Sequence, residues 1–225
     1  MFVLLAGNLG SYHTSIPVDV FRGFAIADPI APFVVVNDQD SKSAWSFTLL
    51  HEMAHLWLGT TGVSGSRGEQ AIEQFCNDVA GELLLPSAEL AELAGVGDFD
   101  VNATVSLIAD FAMPRKVSRQ MVAYKLFRAG LINRGKWEEL DERIKQIWRE
   151  ERARQRERER DGESGPSYYV VRRHRLGRAL LAFTSRNMAA GVLSTTKAAR
   201  VLGVRPRSVY PLLLETFEPS TKGMR

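Results

Sequence analysis

The segment SFTLLHEMAHL, residues 46–56, contains the pattern that decides how this sequence is interpreted. Within it, His51, Glu52 and His55 fit the spacing H-E-x-x-H. Residues four apart on an α-helix lie on one face, so His51 and His55 could direct two imidazole rings at one metal ion. Glu52 follows His51, and its carboxylate could take a proton from a water molecule at that ion. The pattern predicts a zinc-type hydrolytic site, with a histidine pair packed in a core as the alternative.

The residues around this motif predict a helix that follows a small sheet. Apolar side chains recur at helical spacing over residues 43–58, and Gly59 follows as a stop. A Gly/Ser-rich loop over residues 60–68 leads to a second predicted helix over residues 69–85, which Pro86 closes. Upstream, three short apolar runs have the composition of β-strands, at residues 1–6, 21–27 and 31–36.

A catalytic zinc site needs a third protein ligand and an open position for water. We expect that ligand on the second helix, where the candidates are Glu69, Glu73, Cys76, Asp78 and Glu82. Glu73 is favoured because it shares an i, i+4 face with Asn77, and small residues further along would allow close helix packing. Cys76 is a softer zinc ligand, but a lone buried cysteine is more often a small hydrophobic residue.

Two segments of the chain resemble the ImmA/IrrE family of zinc metallopeptidases. One is residues 46–56, and the other is EQFCNDVAGELLLP, residues 73–86. In the second segment the family has a glutamate, a small residue with Asn, an apolar residue with Ala, and a Leu-Leu-x-Pro close. Cys76 stands where alanine is usual. The resemblance implies that His51, His55 and Glu73 hold the metal and that Glu52 is the general base.

The resemblance also implies an activity and a partner. The family contains zinc-dependent metallo-endopeptidases that cleave a DNA-binding repressor or an antitoxin, which affects transcription regulation in prophages and other mobile elements, toxin–antitoxin pairs or stress responses. We expect Zn²⁺ as the cofactor, with Mn²⁺ as the alternative, since histidine and carboxylate ligands suit both. Many members carry an N-terminal repressor-type helix-turn-helix domain. This sequence begins near its first predicted strand, so we expect the repressor to be a separate protein or the chain to be a shortened version.

The net charge of +3 conceals an uneven distribution. Residues 1–110 contain 3 Lys/Arg and 14 Asp/Glu, whereas residues 111–225 contain 26 and 12. The basic half favours contact with nucleic-acid phosphates. Two segments, residues 105–126 and 195–214, resemble helix-turn-helix units, but any two packed helices joined by a short turn produce that pattern. The alternative function is a non-catalytic regulator that keeps the zincin fold and binds DNA or a partner protein.

These observations predict an α+β fold, in which a small twisted β-sheet packs on zincin helices and a mainly helical C-terminal half follows. The predicted domains are a zincin-like metallopeptidase domain, a helix-turn-helix-like extension, a charged helix with a linker, and a helical C-terminal region, over residues 1–97, 98–135, 136–165 and 166–225. Alternating arginines and glutamates over residues 149–160 indicate a solvated helix face, with a docking arm for an acidic partner or nucleic acid as the alternative. The linker is expected over residues 161–167.

Several classes of protein are excluded. No apolar run approaches the roughly 18–20 residues that a membrane-spanning helix needs. The first six residues are apolar, but they are too few for a signal peptide and lack its basic start. The single Cys76 cannot form a disulfide framework. We therefore expect a soluble cytoplasmic protein that does not bind membranes.

Overall fold

The computed structural model describes residues 1–8, 14–60, 67–160 and 167–214. Its strands are β1 (Phe2–Leu5), β2 (Gly23–Ile26) and β3 (Phe33–Val36). Its helices are α1 (Lys42–Trp57), α2 (Arg67–Leu84), α3 (Val101–Arg115), α4 (Arg119–Arg128), α5 (Arg134–Arg160), α6 (Tyr168–Ala189), α7 (Thr195–Leu202) and α8 (Val209–Leu213). Short 3₁₀ helices cover Ser87–Leu93, Val96–Asp98 and Pro206–Ser208. The predicted α+β class is confirmed.

The three predicted strands form one mixed sheet. Its order is β1-β3-β2, with β3 parallel to β1 and antiparallel to β2. The register places Phe33 opposite Phe2 and opposite Ile26. The central strand contains three successive valines, whose branched side chains favour extended backbone, and all three are buried.

The chain divides into two compact units, as far as its residues are described. One comprises residues 1–39, 56–62 and 165–225 and contains the sheet with α6, α7 and α8. The other comprises residues 40–55 and 63–164 and contains most of α1 together with α2 to α5. These units join segments that are distant in sequence, whereas the predicted domains are consecutive. The predicted domain boundaries stay a prediction.

The unit with α1 to α5 is built around one apolar core. Ile108, Leu126 and Leu140, from α3, α4 and α5, are fully buried there, and Phe47 of α1 packs against the same cluster. The predicted N-cap Ser118 caps the start of α4, since its hydroxyl accepts a hydrogen bond from the amide of Met121 at 3.1 Å. This core supports the two helices that carry the predicted site.

In the other unit, α6 packs along β1. The rings of Phe2 and Phe183 meet edge to face with centroids 5.6 Å apart. Gly177 interrupts α6 with φ 70° and ψ 153°, and a Cβ at this position would lie 2.6 Å from the carbonyl oxygen of Val3. The glycine therefore permits both the bend in the helix and its close approach to the strand.

The helix boundaries agree with the sequence to within a few residues, with one difference in the loop after α1. The loop was predicted to extend to residue 68, but α2 already begins at Arg67. Residues 61–66 of that loop and residues 161–166 of the predicted linker lie outside the described residues. The long charged helix is confirmed as α5. None of the described helices is long and apolar enough to cross a membrane.

Candidate metal centre

Three side chains, two from α1 and one from α2, converge at one point. The Nε2 atom of His51 lies 3.1 Å from Oε2 of Glu73, and Nε2 of His55 lies 3.2 Å from Oε1 of the same carboxylate. The two Nε2 atoms are 3.2 Å apart. Among the described residues, His51, His55 and Glu73 form a group whose ligand atoms all lie within 4.8 Å of one another and could hold a metal ion.

The donor set fits a small divalent cation. Two ligand atoms, each about 2.05 Å from a tetrahedrally coordinated ion, lie about 3.3 Å apart, close to the three distances observed here. Two imidazoles and one glutamate are also the ligands of many catalytic zinc sites. Burial lowers the pKa of His51, which the negative charge of Glu73 partly offsets. A neutral imidazole keeps the nitrogen lone pair that a metal requires.

The helical spacing of α1 places the two histidines on one face, where His55 is buried and His51 is partly buried. His55 is 3 % exposed, and the preceding residue, Ala54, is fully buried. On α2, the small residues Ala80 and Gly81 are buried, and Gly81 lies beside the aliphatic chain of Lys125 of α4.

Glu52 is a buried carboxyl group beside this centre. Its exposed fraction is 7 %, and burial, together with the negative charge of Glu73, raises its pKa to about 7. A general base works best when its pKa lies near the operating pH, because both protonation states are then accessible. The carboxyl group is therefore suited to accept and return a proton at neutral pH.

The remaining candidates for the third ligand have other roles. The carboxylate of Asp78 accepts a hydrogen bond from Arg128 at 2.8 Å, and that of Glu82 accepts one from Lys125 at 2.6 Å. The thiol of Cys76 is fully buried, and burial, followed by the charges of Glu73 and Glu52, raises its pKa to about 11. It therefore stays protonated near neutral pH. The side chain of Glu69 lies outside the described residues.

Three residues near the site were not predicted to act there. Burial lowers the pKa of His51, and a hydrogen bond with the side-chain amide of Asn77 offsets a small part of that change; the ring of Phe47 lies 6.2 Å from the His51 ring. Both could have been found from spacing, since each is four residues from a predicted ligand. Lys125 of α4 is buried, and its ammonium group donates to the carbonyls of Gly81 and Leu85 at the end of α2.

Comparison with known proteins identifies the family. A peptidase family model, described as the IrrE N-terminal-like domain, matches residues 10–127, which is just over half of the chain and includes α1 and α2. No curated protein matches. The matched region contains His51, His55 and Glu73, and also the buried Glu52 beside them. The chain therefore belongs to the ImmA/IrrE family of metallopeptidases.

Proposed function

We propose that the protein is a metal-dependent endopeptidase that uses zinc, with manganese as the alternative metal. The observation that carries this proposal is the meeting of His51, His55 and Glu73 next to the buried Glu52. A divalent ion bound by three protein ligands would lower the pKa of a water molecule and polarise a peptide carbonyl group.

In this proposal Glu52 transfers the proton, and the three converging side chains hold the metal ion. Glu52 removes a proton from the attacking water and later gives it to the leaving amine, so that one carboxyl group serves as base and then as acid. His51, His55 and Glu73 hold the ion, and the burial of His55 keeps its imidazole fixed.

We propose a protein substrate, namely a DNA-binding repressor or an antitoxin in the cytoplasm. Membership of the ImmA/IrrE family supports this choice. The setting would be a prophage or other mobile element, a toxin–antitoxin pair or a stress response, in which cleavage changes transcription.

The experiment uses a candidate repressor, chosen from the genes that neighbour this protein's own. The wild-type protein and Glu52→Gln are each loaded with zinc, analysed for metal content and incubated with that repressor. We expect both to hold about one zinc ion per chain, and we expect the variant to cleave at least about 100-fold more slowly. Chelation should stop cleavage, and added zinc or manganese should restore it. Equal cleavage by both proteins, or failure of the wild type to bind either metal, would contradict the proposal.

A non-catalytic regulator is the second candidate function. The observation that favours it is the cation-rich surface of the C-terminal helices, described below. A cellular phenotype that depends on the gene and is unchanged by Glu52→Gln would support this second candidate, whereas loss of that phenotype in the variant supports the peptidase.

A further inference from the structure

The described C-terminal helices are basic without any acidic residue. Residues 167–214 contain nine Lys/Arg and no Asp/Glu. Three of the cations stabilise their own unit: Arg172 donates to the carbonyl of Leu202 at 2.6 Å, Arg173 to that of Pro211, and Arg175 to the carboxylate of Asp38. The other six are exposed, and among the described residues none has a carboxylate partner; they are Arg178, Arg186, Lys197, Arg200, Arg205 and Arg207.

Two short helices in this segment form a helix-turn-helix. α7 ends at Leu202, and a three-residue turn leads to the 3₁₀ helix Pro206–Ser208, which continues into α8. The turn begins with Gly203, whose φ of 59° ends α7 in the left-handed region. A three- to four-residue turn containing glycine is typical of this motif.

The inner faces of the two helices are fixed by one apolar cluster. α7 contributes Ala198, Ala199 and Leu202, and α8 contributes Val209, Leu212 and Leu213. Both sets pack with leucines of α6, including the buried Leu176 and Leu180. Because the inner faces are buried, the orientation of the outer faces is fixed.

The outer faces carry cations and an aromatic side chain. On α7, Lys197 and Arg200 are three residues apart and exposed. At the start of the second helix, Arg207 and Tyr210 have the same spacing, and Tyr210 is 61 % exposed. Arg205, in the turn, is also exposed. In helix-turn-helix proteins the start of the second helix contacts base edges, while the first helix crosses the phosphate backbone.

We propose that residues 194–214 bind double-stranded DNA. Lys197, Arg200, Arg205 and Arg207 each contact a phosphate, and the start of the second helix, with Tyr210, enters the major groove. This activity is separate from the proposed peptidase, because none of these residues belongs to the metal centre.

The other helix-turn-helix-like segment, residues 105–126, has a different surface. No side chain from Val117 to Phe127 is exposed. The cations of α4 have partners within their own unit: Arg119 donates to Glu151 at 2.9 Å, Arg128 to Asp78, and the buried Lys125 to Glu82. These contacts favour a supporting role for residues 105–126. The proposed DNA-binding surface is therefore the one formed by residues 194–214.

The test measures binding of the full chain to duplex DNA. The probe is a fluorescein-labelled duplex of mixed sequence, about 24 base pairs long, and anisotropy is followed from about 50 to about 200 mM NaCl. We expect the affinity to fall about 100-fold over this range, as four phosphate contacts require. In the double variant Arg205→Gln/Arg207→Gln, we expect at least about tenfold weaker binding at low salt and a salt slope smaller by about 2.

A matched control removes the same charge from the other unit. Arg134→Gln/Arg154→Gln changes two exposed arginines of α5 and should bind within about twofold of the wild type, since it removes no proposed contact. Far-UV circular dichroism and thermal unfolding establish that both variants remain folded. Absence of duplex binding at low salt, equal weakening by both double variants, or tighter binding to single-stranded DNA or RNA of equal length would overturn the proposal.

Discussion

Glu52 makes the stability of the metal-free protein depend on pH. Its folded-state pKa is about 7, raised by burial from 4.5. The folded state holds this proton more tightly than the unfolded chain, so its contribution to stability is complete below about pH 4.5 and is lost as the pH rises through 7. We expect Glu52→Gln to remove that loss, which is at most about 3 kcal/mol.

The measurement is urea unfolding of the chelated wild type and the variant from pH 4.5 to pH 8. His51 has the opposite dependence, because its lowered pKa disfavours folding as the pH falls. Both proteins contain His51, so the difference between their free energies of unfolding isolates Glu52. A difference that does not change with pH would show that Glu52 is not held in its protonated form by the fold.

Lys125 binds the backbone carbonyls at the C-terminal end of α2, the helix that carries Glu73. Its exposed fraction is 7 %, and its ammonium group donates to two carbonyls at the end of α2 and to Glu82 at 2.6 Å. The interaction with Lys125, and then those with Ser87, lower the pKa of Glu82 to about 2. Lys125→Met keeps the length of the side chain but leaves the two carbonyls without a donor. We expect a loss of about 2–4 kcal/mol in the free energy of unfolding.

Lys145→Met is the control for this substitution. Lys145 forms a partly exposed i, i+4 ion pair with Asp141, and surface pairs of this spacing contribute about 0.3–0.5 kcal/mol. Denaturant unfolding of both variants gives the comparison. Similar small losses in the two would mean that the buried ammonium group does not secure the end of α2.

At the scale of single elements, Gly177 determines whether α6 can lie against β1. Alanine there would be strained by the φ of 70° and would also place Cβ 2.6 Å from the carbonyl oxygen of Val3. Gly191 provides the comparison, because its φ is 72° but a Cβ would meet no atom within 4 Å. We expect Gly191→Ala to cost about 1–2 kcal/mol and Gly177→Ala at least twice as much, measured as free energies of unfolding. Equal losses would show that the strand does not restrict this position.

Features that depend on local sequence were predicted well. The two histidines of α1 share a face because of their spacing alone. The three strands were predicted for the same reason, from short runs of apolar and β-branched residues.

Features that depend on distant partners could not be predicted to the same extent. Spacing left Asp78 and Glu82 as alternative ligands, because their partners Arg128 and Lys125 follow more than 40 residues later. The parallel pairing of β1 with β3 and the bend at Gly177 likewise depend on contacts between segments far apart in the chain. No local pattern contains that information.

At the scale of the molecule, the acidic and basic halves of the sequence do not coincide with the two compact units of the structure. The acidic N-terminal and basic C-terminal ends of the chain meet in one unit, where Arg175 donates to Asp38 at 2.6 Å and also to Asn8. The candidate metal centre belongs to the other unit, since both histidines and Glu73 lie within it. Metal binding and the proposed DNA contact therefore involve different sets of packed helices.

This separation predicts that metal removal destabilises one unit more than the other. A ligand that binds only the folded state adds about 4 kcal/mol at a thousandfold excess over its Kd, and here it would oppose any opening that separates α1 from α2. We expect chelation to increase amide hydrogen exchange in α1 and α2, measured by mass spectrometry, and to change exchange in α6 to α8 much less.

Glu73→Gln is the control, because it keeps the size of the side chain and removes its charge. Of the three converging side chains, Glu73 is the one that lies on α2. In this variant, exchange in α1 and α2 should be the same with zinc and with chelator. The wild type separates two explanations of any metal effect. If zinc protects only α1 and α2, it acts at the centre formed by the two histidines and Glu73. If it protects all helices equally, or if protection persists in Glu73→Gln, the stabilising metal binds elsewhere and the assigned ligand group is wrong.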